Sequence, residues 1–193
     1  MVAREYYSRQ LQRLWLDGVA KPVCPFSLGE NNLYVAYYAS AEMNCQLVLD
    51  WSLPNYLLDL FCEIRCQNNG LSLPVKNNLL GALSLHGLEH ISLVEKEEMR
   101  ELAMRGGPYS STEQPALLNY CQTDVDALVA LLPEMAPKIS IDHALIRGRY
   151  MKAVARMESV GIPIDLPLLK RLQTNCCLLY TSDAADEGLG VDL

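Results

Sequence analysis

Tyr120 and Asp124 stand four residues apart in the stretch Tyr120-Cys121-Gln122-Thr123-Asp124. On a helix that spacing sets a phenol and a carboxylate side by side on one face. A carboxylate can hold a divalent cation, and a neighbouring phenol can position a cation-bound water. The chemistry such a pair points to is metal-assisted hydrolysis; the alternative is that the two are ordinary surface groups that happen to share a helix face. Asp59 ends the apolar run Asn55-Tyr56-Leu57-Leu58-Asp59-Leu60, and a carboxylate there either points into a cleft or serves as a turn or cap. Cys62-x3-Cys66 and His86-x3-His90 have the residue types of a zinc site. The gap between the two pairs exceeds finger spacing, and Gly87 should break any helix carrying both histidines, which favours a local core and surface role. Arg149, Lys152 and Arg156 form a basic stripe, suited to phosphate or simply to solvent.

The elements that must hold these groups follow from pattern. Val2 to Tyr7 and Arg13 to Leu16 read as strands, with Asp17-Gly18 as a turn. A sheet that begins at residue 2 implies a further strand upstream. Leu33 to Tyr38 is a buried strand, and a helix from about Ala41 to Asp50 turns Met43, Leu47 and Val48 inward. Asn55 to Leu60 is a short strand. Helices are expected from Asn77 to a C-terminal Gly87, and from Leu93 to Arg105 before Gly106-Gly107-Pro108. Ser110-x-x-Glu113 is a capping box for a helix with Pro115 in its first turn, running to Leu132 before Pro133. Asp142 can cap a last helix ending at Val160, with Ile146, Tyr150, Ala153 and Met157 on one face. Early strands and late helices give an α/β domain with a small mixed sheet.

At 193 residues the chain can form one ordinary domain with a connecting piece. Half of it is hydrophobic and only 20% charged, which excludes a disordered chain. A net charge of −7 excludes a protein held on duplex DNA by a broad basic surface. No apolar run reaches ~18 residues, so no membrane partner is expected. Seven scattered cysteines without a CxxC read as reduced, mostly buried thiols of a cytoplasmic protein. From Leu178 onward there are four acidic residues, no basic ones and no amphipathic period, as in a disordered or non-native tail.

In this company the Tyr120-x-x-x-Asp124 pair resembles the third motif of the DEDDy 3′–5′ exonucleases, which have a ribonuclease-H-like fold. The match extends from Leu118 to Leu128. Val35 to Glu42 falls where that family has a strand followed by Asn-x-x-x-Asp. Tyr38 takes the Asn place, and Glu42 takes the Asp place with one more methylene. Arg149 to Asp165, with Met157-Glu158-Ser159-Val160-Gly161-Ile162-Pro163-Ile164-Asp165, resembles the helix that leads into the polymerase region of family A DNA polymerases. The family's first motif, Asp-x-Glu, occurs nowhere in the chain.

The resemblance implies a ribonuclease-H-like mixed sheet flanked by helices and incomplete at its N-terminus. It assigns 1–137 to an exonuclease-like domain, 138–177 to the opening helices of a polymerase region and 178–193 to the tail. In the parent enzyme it implies hydrolysis of the terminal phosphodiester of a single-stranded DNA 3′ end, with a polymerase domain in cis. Mg²⁺ or Mn²⁺ would be held by Asp124 and Glu42, and Tyr120 would orient the attacking water. The catalytic set is thus Tyr120, Asp124 and Glu42. With Asp-x-Glu absent, the chain itself is expected to be inactive. The alternative role is a scaffold or DNA-positioning domain.

Overall fold

Along the strand β4 (Tyr56–Asp59) the side chains alternate between two cores. Leu57 packs with Ala36, Ala39, Met43 and Ala155. Leu58 points the other way, into a cluster with Leu60, Ile64, Ala82, Leu83, Leu131, Met135 and Ala144. A strand buried on both faces reads as a continuous apolar run, which explains the Tyr56 to Leu60 sequence. β4 pairs in parallel with β3 (Leu33–Ala36), Leu33 opposite Tyr56 and Ala36 opposite Asp59. Parallel neighbours need a crossover, supplied by the helix α1 (Ala39–Val48).

The computed structural model describes residues 1–16, 22–88 and 93–187; for 93–95 and 177–187 it describes the backbone alone. The expected Asp17-Gly18 turn, His90 and the end of the tail lie outside the described residues. The chain is mixed α/β. Its described strands form two separate pairs rather than one mixed sheet. The second pair is an antiparallel hairpin, β1 (Val2–Arg4) with β2 (Leu11–Arg13), shorter and earlier than the sequence pattern suggests. It lies against the helix α5 (Glu113–Met135), where Arg4 pairs with Asp126 at 2.7 Å and Arg13 donates to Asn119 at 2.7 Å.

The remaining helices are α2 (Leu60–Gln67), α3 (Leu79–Leu85), α4 (Leu93–Arg105), α6 (Ile141–Val160) and α7 (Leu166–Glu187), with a 3₁₀ turn at Ala136–Lys138. The α2 helix is unforeseen by the pattern. The α3 helix ends as its sequence predicts: Gly87 has φ 67°, and the Gly87 and Leu88 amides donate to Ser84 and Leu83. The capping box also forms, Ser110 N donating to Glu113 at 2.8 Å and Glu113 N to Ser110 Oγ at 3.2 Å. Arg105 grips Glu113 with both guanidinium ends, which together with the cap holds that carboxyl down at about 2.

Three local expectations need correction. Pro133 does not stop α5, which continues to Met135. Pro133 forgoes one helical bond, to the carbonyl of residue 129, and fully buried Leu131 and Met135 anchor the end. Val48 points outward at 71% exposure, whereas Met43 is fully buried. The cysteines with described side chains are free thiols, but Cys45, Cys66, Cys121 and Cys176 are exposed and Cys24 and Cys62 are half-buried. Leu, Ala and Met fill the core in their place.

The α6 helix presents a different face from the one its large residues suggest. Ala144, Gly148 and Ala155 are buried, while Ile146, Tyr150 and Met157 are exposed. A Cβ on Gly148 would meet the Leu57 carbonyl oxygen at 1.9 Å, so only glycine lets α6 lie this close to β4. Arg147 grips buried Glu63 of α2 at 2.7 and 2.6 Å, and Lys152 donates to the carbonyls of Pro54 and Asn55. Asp142 falls inside the first turn rather than before it.

Two units divide the chain, Met1–Ser159 and Val160–Leu193. The second consists of α7 and its lead-in, where Asp165 caps the helix by accepting from Leu168 N at 3.0 Å. Its backbone is helical through Glu187, past the expected tail boundary. Among the described residues no helix is long and apolar enough to cross a membrane.

Candidate functional site

At the C-terminal end of β4, Asp59 is 1% exposed and fully engaged. Its Oδ1 accepts from Tyr38 N at 3.0 Å and Phe61 N at 2.9 Å. Its Oδ2 accepts from Ala39 N at 3.0 Å and the Cys62 thiol at 3.6 Å. One carboxylate thus caps the starts of α1 and α2 together. Of the two roles open to Asp59 from sequence, the structure assigns the cap. Burial, and then the same charge, push the Cys62 thiol up to about 12.

Tyr38 forms the bend between β3 and α1. Its φ of 71° and ψ of 58° put it in the left-handed region, unusual for a tyrosine. Its ring stays half exposed and meets Phe61 edge-on, centroids 5.2 Å apart. One turn into α1 comes Glu42. Its Oε2 is buried and has no hydrogen-bond partner. Burial, and then the charges of Asp59 and Asp124, raise its carboxyl to about 7. The influence of Asp124 on Glu42 brings two of the sequence-predicted residues, from α1 and α5, into one electrostatic neighbourhood. Gln46, a further turn along α1 and 3% exposed, also has both amide atoms without partners.

Tyr120 and Asp124 share one face of α5, and α4 packs against that helix. From α4 the Lys96 ammonium reaches Asp124 Oδ1 at 2.8 Å and lies 5.8 Å from the centroid of the Tyr120 ring. The Lys96 side chain is 23% exposed and that of Asp124 38%. Burial and the neighbouring Asp124 charge push the Tyr120 phenol up, with Arg100 acting in the opposite sense. The phenol is therefore a neutral hydrogen-bonding group at ordinary pH. Neither Lys96 nor the Glu63–Arg147 pair was indicated by motif spacing. The only sequence signal for Lys96 is its position on a highly charged helix preceding the capping box.

A divalent ion needs several hard oxygen ligands, and two ions need more. Among the described residues no group of three His, Cys, Asp or Glu side chains could hold a metal ion. Asp124 is already paired with an ammonium, Asp59 spends both oxygens on caps, and burial disfavours the charged form of Glu42. These residues do not fit the two-metal centre that the resemblance implies for Asp124 and Glu42. The zinc alternative gains nothing, since Cys62 bonds to Asp59 and α3 ends at Leu85, with His86 as its C-cap. Of the basic stripe, Lys152 is committed to backbone carbonyls, whereas Arg149 and Arg156 are exposed. Comparison with known proteins returns no match to this chain, whether among family models, curated proteins or solved structures.

Proposed function

We propose that this chain is a 3′–5′ exonuclease-like module, of the ribonuclease-H-like kind, from a family A DNA polymerase, and that in this form it holds a single-stranded DNA 3′ end without hydrolysing it. The observation that carries the reading is the pairing of Tyr120 with Asp124 on one face of α5, with the Asp124 charge also felt by Glu42 on α1. Clefts at the carboxyl ends of parallel strands are where such folds receive ligands. Tyr38 adds support. It fills the place of the family's Asn, and the left-handed backbone there is the conformation Asn tolerates best among non-glycine residues. Its exposed ring is a surface on which a base can stack.

Within this reading each residue has a role that requires no further group. Tyr38 stacks the terminal base, the Tyr120 hydroxyl hydrogen-bonds the end, and Asp59 fixes the bend that presents Tyr38. The absence of Asp-x-Glu and the commitment of Asp124 to Lys96 favour holding over cutting. The polymerase region in cis rests on the Arg149 to Asp165 resemblance, and a cytoplasmic location on the free thiols.

The test is a titration of 5′-labelled oligothymidine with a free 3′ end, in EDTA, against a fully paired blunt duplex. The single strand should bind more tightly, and Tyr120→Ala and Tyr38→Asn should each weaken it about fivefold or more, given what base stacking contributes. Equal binding of both substrates, or no effect of either substitution, overturns the reading. A second assay adds Mg²⁺ or Mn²⁺ and follows strand length. Trimming that vanishes in Asp124→Ala would show that the chain cuts rather than holds.

A further inference from the structure

The mismatch between Asp124 and a metal centre has a specific cause, the side chain of Lys96. We propose that Lys96 is a resident cation of the candidate site, its ammonium standing at Asp124 where a divalent ion would have to bind. The inference deepens the exonuclease-like reading and rests on it.

Three features carry it. The ammonium is 2.8 Å from Asp124 Oδ1, inside hydrogen-bonding distance, so an ion approaching that oxygen must compete with its charge. The same ammonium is within cation–π range of Tyr120, so it lies over the residue pair rather than at the edge of it. Lys96 is also the less exposed partner, 23% against 38%, and comes from a helix packed along α5. A lysine supplies one positive charge and three donors, but it has no open coordination position on which to bind and activate a water. It therefore neutralises Asp124 without supplying a metal's chemistry. Arg100, one turn further along α4, also acts on the Tyr120 phenol, against the charges of Asp124 and Glu97.

The experiment is a Mn²⁺ titration of the full chain followed by electron paramagnetic resonance, on the protein and on Lys96→Met, Lys96→Gln and Lys96→Arg. Two neutral variants guard against one that fails to fold, and circular dichroism reports folding for each. Both neutral variants should bind Mn²⁺ about three- to tenfold more tightly, the range expected for removing a partly exposed competing charge. Lys96→Arg should behave as the unaltered chain, because it keeps the cation. The gain should disappear when Asp124→Asn is added. Neutral variants that bind Mn²⁺ no more tightly than the unaltered chain overturn the inference, whatever that affinity is. So does a gain that persists in the Asp124→Asn background. The DNA-end titration runs in EDTA, so the exonuclease-like reading stands or falls independently of this outcome.

Discussion

Asp59 and Glu42 are acids of one small region, separated by the start of α1, and their surroundings are opposite. Asp59 is almost completely buried, yet three backbone amides and a thiol satisfy its two oxygens. Glu42 keeps more contact with solvent, yet one of its oxygens is buried with no partner, and its carboxyl is raised to about 7. Depth does not decide what burial costs a carboxylate; the donors aimed at it do. The amides at a helix start come already oriented, so an acid at that point is stabilised. An acid one turn later has lost those donors to the helix itself.

The sharpest way to break this contrast is Asp59→Ala. It strips partners from one buried and two half-buried amides at two helix starts and should cost about 3–5 kcal/mol, read by urea unfolding. A loss below about 1 kcal/mol would mean that solvent reaches those amides. Glu42→Gln tests the other side and has a sign that depends on pH. A glutamate raised to about 7 in the fold, from 4.5, contributes nothing adverse while both states are protonated. As pH climbs from about 4.5 through 7 the folded state must ionise a disfavoured group, and stability falls. The variant should match the original near pH 4 and be more stable above pH 7.5, by on the order of 3 kcal/mol at full ionisation. Parallel melting curves from pH 4 to 8.5 show no effect if Glu42 is solvated after all.

Asp59→Asn sharpens the comparison at intermediate size. An amide keeps one oxygen for Tyr38 N and Phe61 N but turns a donor toward Ala39 N. A loss of about 1–3 kcal/mol is expected, clearly less than for alanine. The smallest effect is at Tyr38. Tyr38→Asn should leave stability within about 1 kcal/mol, because an easier left-handed backbone offsets the lost Phe61 contact. Tyr38→Val keeps bulk but not the conformation and should cost about 1–2 kcal/mol more than Asn. Equal stability of the two would show that the bend is not held left-handed in solution.

Much of the architecture was legible because it depends on local chemistry. Gly87 ends α3 through its positive φ, Ser110 and Glu113 cap α5 reciprocally, and α4 occupies the span its flanking residues define. What was not legible depends on partners distant in sequence. Nothing near Leu60 announces α2 except the Asp59 cap, and a strand pattern competes for the same residues. The pairing of the strands into two separate sheets reflects contacts between β1 and α5 that no periodicity encodes. At the candidate site, spacing alone aligned Tyr120 with Asp124. It could not reveal Lys96, 28 residues away, or the missing partner of Glu42.

The close approach of α6 to β4 at Gly148 has a consequence for how the sequence can drift. Among relatives of this chain, position 148 should stay glycine and positions 144 and 155 should stay small, since even one added methyl at 148 would strike the Leu57 carbonyl. Positions 146, 150 and 157 carry the larger apolar side chains but stand more than half exposed, so packing constrains them less. A family in which those three positions vary freely would mean that α6 is selected only for its small face. A family in which they too resist change would mean that selection acts there on something other than folding.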